Sequence, residues 1–72
     1  RLFKTHEVIP LIAQLLPANP VIIEAGAFHG HDTIRLSKQF PEGTIHAFEP
    51  VPELFETLKE ATAPYGNIRC YN

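Results

Sequence analysis

Apolar residues recur along this chain in two rhythms. From Lys4 to Leu16, Val8, Leu11, Ile12 and Leu15 fall three and four positions apart, with Ile9 and Leu16 widening the stripe. That spacing predicts an amphipathic helix. If the helix proper starts near Ile9, Pro10 falls in its first turn, which does not need the N–H that proline lacks, and Thr5 or His6 then belongs to an extended lead-in. Pro17 and Pro20 end the helix and bracket a turn. The rhythm then changes. Val21-Ile22-Ile23-Glu24 places three β-branched residues in a row without alternation. This is the pattern of a strand buried on both faces of a parallel sheet.

The same switch repeats downstream. Gly30 to Phe40 predicts a second helix, whose inward stripe is Thr33, Leu36, Ser37 and Phe40 with Ile34 at its margin. Pro41-Glu42-Gly43 is a turn, and Thr44 to Phe48 is a second strand with Ile45, Ala47 and Phe48 as its inward candidates. Pro52 suits the first turn of a third helix, where Glu53 meets the positive end of the dipole. Leu54, Leu58 and Ala61 form its stripe, widened by Phe55, and Pro64 and Gly66 stop it. Asn67 to Tyr71 is a short third strand. Helix and strand alternate throughout, so the expected class is α/β: a Rossmann-like parallel sheet with flanking helices joined by right-handed crossovers. Residues 1–20 form a leading helix and linker, and residues 21–72 the sheet-forming unit.

Composition narrows this picture. Seventy-two residues allow one small domain, and 44% hydrophobic with 19% charged residues is too apolar for disorder. The net charge of −2 and the absence of a basic run argue against a nucleic-acid partner. A single cysteine, Cys70, excludes an internal disulfide and reads as a structural thiol. No apolar run approaches the length of a membrane span, and the expected compartment is the cytoplasm. The chain opens on Arg1 rather than Met, which suggests a trimmed or partial sequence. A short parallel sheet with an exposed growing edge is expected to self-associate.

The candidate chemistry lies where the strands end. Ligands of open α/β sheets bind beyond the carboxyl ends of the strands. There the chain reads Glu24-Ala25-Gly26-Ala27-Phe28-His29-Gly30, and one strand later Phe48-Glu49-Pro50. Gly26 can take a positive φ or let a ligand approach the backbone, and Gly30 can let the next helix start close to the strand. The glycine spacing is not the G-x-G-x-x-G of a dinucleotide site, and a carboxylate at Glu24 repels a pyrophosphate. A ligand with an ammonium and a sulfonium but no phosphate suits it better, which points to S-adenosylmethionine. Glu49 stands where a carboxylate can accept hydrogen bonds from both ribose hydroxyls, at roughly 1.5–3 kcal/mol each.

Several residues tempt and mislead. His29 and His31, with Asp32 next and His46 at a distance, make no convergent ligand set of suitable geometry, so no metal site is expected. His29 has no argument for a general base, and the catalytic residue is not identified in this chain. Phe3, Phe28 and Tyr65 read as packing groups rather than a stacking platform. Glu53, Glu56 and Glu60 lie on the wet face of the third helix.

Two stretches carry a family likeness: Ile23-Glu24-Ala25-Gly26-Ala27-Phe28-His29-Gly30-His31-Asp32-Thr33, and Ala47-Phe48-Glu49-Pro50-Val51-Pro52-Glu53-Leu54-Phe55-Glu56-Thr57-Leu58. With Asn67-Ile68-Arg69 they resemble the FkbM-type methyltransferases, a branch of the class I S-adenosylmethionine-dependent enzymes. The resemblance implies a seven-stranded sheet of which three strands are present, so residues 21–72 would be the amino-terminal half of a cofactor-binding domain. It implies that Glu24, Gly26, Ala27 and Gly30 line the methionine end of S-adenosylmethionine, that Thr33, at the start of the first sheet helix, belongs to the same cofactor-binding set, and that Glu49 holds the ribose. It also implies O-methylation of a small-molecule or glycan acceptor, with the fragment alone inactive. Many members have Asp at the position of Glu24 and Asn at that of Phe28. Two alternatives stay open: a NAD- or nucleotide-dependent α/β enzyme with an atypical glycine loop, and a non-catalytic α/β binding module.

Overall fold

The computed structural model describes residues 5–72. Six elements alternate along it: α1 (Thr5–Ala13), β1 (Val21–Ala25), α2 (His31–Gln39), β2 (Thr44–Phe48), α3 (Pro52–Thr62) and β3 (Ile68–Tyr71). The strands form one parallel sheet in the order β1-β2-β3. The expected α/β class and Rossmann-like arrangement are therefore observed. Proline opens α3 at its first turn, as the sequence requires.

Register and pleat divide the sheet into two unlike faces. Ile22 pairs with Ile45 and Ile45 with Ile68, while Glu24 pairs with Ala47 and Ala47 with Cys70. These six residues share one face. Right-handed crossovers put α2 and α3 over that same face, α2 against β2 and α3 against β3. Ile45, Ala47 and Leu58 are fully buried there, and Thr33, Ser37 and Phe40 turn inward from α2 as the stripe predicted. Asn67 ties the start of β3 to the end of α2, its amide donating to the carbonyls of Ser37 and Phe40.

The opposite face is bare among the described residues. Val21 is 71% exposed and Ile23 72%, which corrects the expectation of a β1 buried on both sides. The β-branched run reads as two-sided burial, but both connecting helices fall on one side and β1 is an edge strand. Phe48 likewise points to the open face rather than inward. It stacks on Tyr71 with ring centroids 4.6 Å apart, and the Tyr71 hydroxyl lies 2.9 Å from Nδ1 of His46.

Two expectations for the leading helix also fail. Pro10 lies inside α1, and Thr5 and His6 belong to the helix rather than to a lead-in. The expected start at Lys4, and Phe3 as an aromatic candidate, lie outside the described residues. At the other end, the N–H groups of Gln14 and Leu15 donate to the carbonyls of Leu11 and Ile12, a tight last turn that ends the helix before Leu16. Ile9 is buried, whereas Leu15, expected in the inward stripe, is almost fully exposed. The helix packs on α2 at the sheet margin.

Candidate functional site

The loop after β1 is built from left-handed backbone. Gly26 has φ 71°, Phe28 φ 53° and Gly30 φ 92°. This geometry curls the chain back on itself. The N–H groups of Gly26 and Ala27 both donate to the carbonyl of Phe48, at 2.9 and 3.0 Å, and the Gly30 N–H donates to the carbonyl of Ala27 at 3.1 Å. The loop is thus pinned to the carboxyl end of β2, and α2 starts directly from it. Gly30 has a second reason to be glycine. A Cβ there would stand 3.0 Å from Cδ1 of Leu58 and 3.3 Å from Cγ2 of Thr62, so α3 can approach the start of α2 only over a bare Cα.

Glu49 ends β2 and faces inward. Its side chain is 2% exposed. Oε1 accepts the Phe28 N–H and Oε2 the Val51 N–H, each at 2.9 Å. The carboxylate therefore clasps the β1–α2 loop and the entry to α3 together. Further bonds brace its backbone: the Glu49 N–H donates to the Tyr71 carbonyl, and the Asn72 amide donates to the Glu49 carbonyl.

Glu24 lies on the same face of the sheet one strand over and is half-buried. The Thr33 hydroxyl donates to its Oε1. Burial pushes the Glu24 carboxyl above its ordinary value. The Thr33 hydrogen bond opposes the rise, and the nearby charge of Asp32 adds to it. A cation brought to Glu24 would relieve what burial imposes.

A cleft of about 400 Å³ opens beside β1. Its lining includes Glu24, Gly26, Ala27, Phe28 and Asp32, together with Ile9, Ile12 and Leu36. The size and mixed lining suit a small-molecule site. The six residues singled out from the sequence divide around it. Glu24, Gly26 and Ala27 line the cleft. Ala27 offers only backbone, since its methyl group is buried with Ala47 and Leu58. Thr33 is fully buried behind Glu24 and orients it. Gly30 sits under α3, and Glu49 reaches the cleft through the N–H of Phe28.

Sequence reasoning treated Phe28 as a packing aromatic, and it missed its place as the bridge between cleft and carboxylate. A left-handed φ at a non-glycine residue leaves no signal in a single sequence. Cys70 touches the core and its sulfur lies 3.2 Å from the Thr62 hydroxyl, the surroundings of a structural thiol. Among the described residues no three His, Cys, Asp or Glu side chains converge as metal ligands, and no helix is long and apolar enough to cross a membrane.

Known proteins share this architecture. No family model matches the chain. It is 38% identical over 48 residues to "Methyltransferase sdnD" of Sordaria araneosa, covering 67% of this chain and 18% of that protein. It is 34% identical over 56 residues to "Methyltransferase 1" of Beauveria bassiana (strain ARSEF 2860), covering 78% of this chain and 20% of that protein. In structure it resembles the N-terminal domain of EvdMO1, crystallised in the presence of SAH and D-fucose, with a TM-score of 0.79 and 21% identity over 94% of this chain and 30% of that one. The chain has part of a Rossmann-like fold of the class I S-adenosylmethionine-dependent methyltransferase type. The chain spans about a fifth of the length of the curated relatives it matches.

Proposed function

We propose that this chain forms the amino-terminal part of the cofactor-binding domain of an S-adenosylmethionine-dependent methyltransferase of FkbM type. The observation that carries this reading is the placement of two carboxylates, Glu24 and Glu49, at the carboxyl ends of adjacent parallel strands around a left-handed glycine turn. The donor set fits the cofactor. The half-buried Glu24, its proton affinity raised by burial, would take the ammonium group. Gly26 has no side chain to hold a ligand away from the backbone. Each Glu49 oxygen accepts one backbone N–H and keeps a lone pair for a ribose hydroxyl. A dinucleotide would instead bring a pyrophosphate against Glu24 and Asp32.

When bound, the cofactor supplies an electrophilic methyl group on a sulfonium. This chain's contribution is to hold and orient the donor for in-line attack. The Phe-Glu-Pro run at Phe48-Glu49-Pro50 and the Pro52-Glu53-Leu54-Phe55 that follows support the FkbM assignment, and with it O-methylation of a small molecule or glycan. The resemblance to a domain crystallised with SAH and D-fucose supports a sugar-like acceptor.

The test is calorimetric titration of S-adenosylhomocysteine into the complete protein, with NAD as comparator and Glu24→Gln and Glu49→Gln variants beside it. Binding of the adenosyl-sulfur ligand alone, weakened about tenfold or more by either variant, is the expected result. A well-folded protein that ignores it, or that prefers NAD, would overturn the reading.

A further inference from the structure

Phe28 is the one non-glycine residue with a positive φ among the described residues, and it is 60% exposed. Both features oppose folding. Left-handed backbone is unfavourable for a bulky side chain, and an aromatic ring left in water gains no burial. Asparagine or glycine would take this backbone at lower cost. Strain kept at the mouth of a cleft points to a ligand contact.

The surroundings say which part of a ligand the ring would meet. Its Cε2 and Cζ lie 3.7 and 3.8 Å from where a Cβ on Gly26 would stand, so the ring flanks the Gly26 position. Its N–H is held by Oε1 of Glu49. Phe28 therefore stands between the Glu24–Gly26 end of the site and the Glu49 end. In the proposed ligand these ends take the ammonium and the ribose, and the sulfonium is the group that joins the two.

We propose that the Phe28 ring is an aromatic wall for the sulfonium, so that the site prefers the cationic methyl donor to its neutral thioether product. The face of the ring attracts a cation through its quadrupole, whereas a neutral thioether gains only contact. Such a preference favours product release after transfer. The inference rests on the S-adenosylmethionine site proposed above.

The experiment is paired calorimetry of S-adenosylmethionine and S-adenosylhomocysteine on the complete protein and three variants. Phe28→Leu keeps the backbone conformation and most of the apolar volume but removes the π face. It should weaken the sulfonium ligand about fivefold and leave the thioether within about twofold. Phe28→Tyr should keep the wild-type ratio. Phe28→Asn, which tolerates left-handed backbone, should lose the preference in a protein at least as stable as wild type, and it supplies the same readout if the leucine variant folds poorly. Equal losses for both ligands, or no loss, overturn the inference while leaving the cofactor assignment standing. A wild-type protein that binds neither ligand overturns the assignment and the inference together.

Discussion

The backbone N–H of Phe28 donates to Oε1 of Glu49 at 2.9 Å and so joins the loop after β1 to the end of β2. The second oxygen of the same carboxylate holds Val51 at the entrance to α3. One buried side chain thus sets the spacing of three segments around the cleft. Removing it should be felt in stability as well as in binding. Glu49→Ala leaves two backbone donors without their acceptor, at a cost of about 3 kcal/mol, and Glu49→Gln, which keeps one acceptor oxygen, at about half that. Urea unfolding of the complete protein measures both, and an alanine variant as stable as wild type would show that the clasp is dispensable.

Glu24 makes the opposite kind of contribution. Its carboxyl is raised above 4.5 chiefly by burial. The folded state therefore holds the proton more tightly than the unfolded state does. Well below 4.5 both states hold the proton and Glu24 is without effect; as pH rises from 4.5 to the raised value the unfolded state ionises first and stability falls, and above the raised value the penalty is constant. Glu24→Gln should match wild type in acid and exceed it at neutral pH, the gap opening above 4.5. Thermal midpoints across that range decide it, and a gap that does not change with pH would remove burial of the charge as its cause.

Gly26 and Gly30 both have positive φ, yet they should respond differently to alanine. At Gly30 the added methyl group meets Leu58 and Thr62 as well as the strained backbone. A loss of about 2–3 kcal/mol in stability is expected there. At Gly26 the methyl group finds ordinary contact with the Phe28 ring, so the loss should be about 1 kcal/mol, from backbone strain alone. The methyl group would instead stand in the cleft, and S-adenosylhomocysteine affinity should fall more at Gly26 than at Gly30. Denaturation and calorimetry on the two variants separate these effects.

The open sheet face should make residues 1–72 self-associate when expressed alone. Val21, Ile23, Phe48 and Tyr71 present apolar surface there, and the strand edges carry unpaired backbone groups. Sedimentation should show dimers or larger species that Ile23→Lys disperses. A monomer with cooperative unfolding would refute the expectation.

Much of this protein could be read before its structure was known. The alternation of helix and strand, the proline starting α3, the inward stripe of α2 and the parallel sheet all follow from local rules: a spacing of three and four, a run of β-branched residues, a missing N–H. Those rules act within a few residues, so one sequence displays them. Glycines and acids at strand ends marked the site's location by the same reasoning. What a residue faces is another matter. Val21 and Ile23 read as buried, yet they are exposed because both crossovers fall on one side of the sheet. Leu15 has the spacing of a core residue and is exposed. Thr33 and Glu49 read as site residues, and the structure adds that they hold Glu24 and Phe28 in place. Phe28 reads as packing and is turned outward by a backbone conformation that its side chain opposes. Sequence thus determined which elements form and in what order, because those depend on neighbours along the chain. Only the tertiary structure decided which side of each element is covered and which carboxylate is already held, because those depend on groups that meet from distant segments.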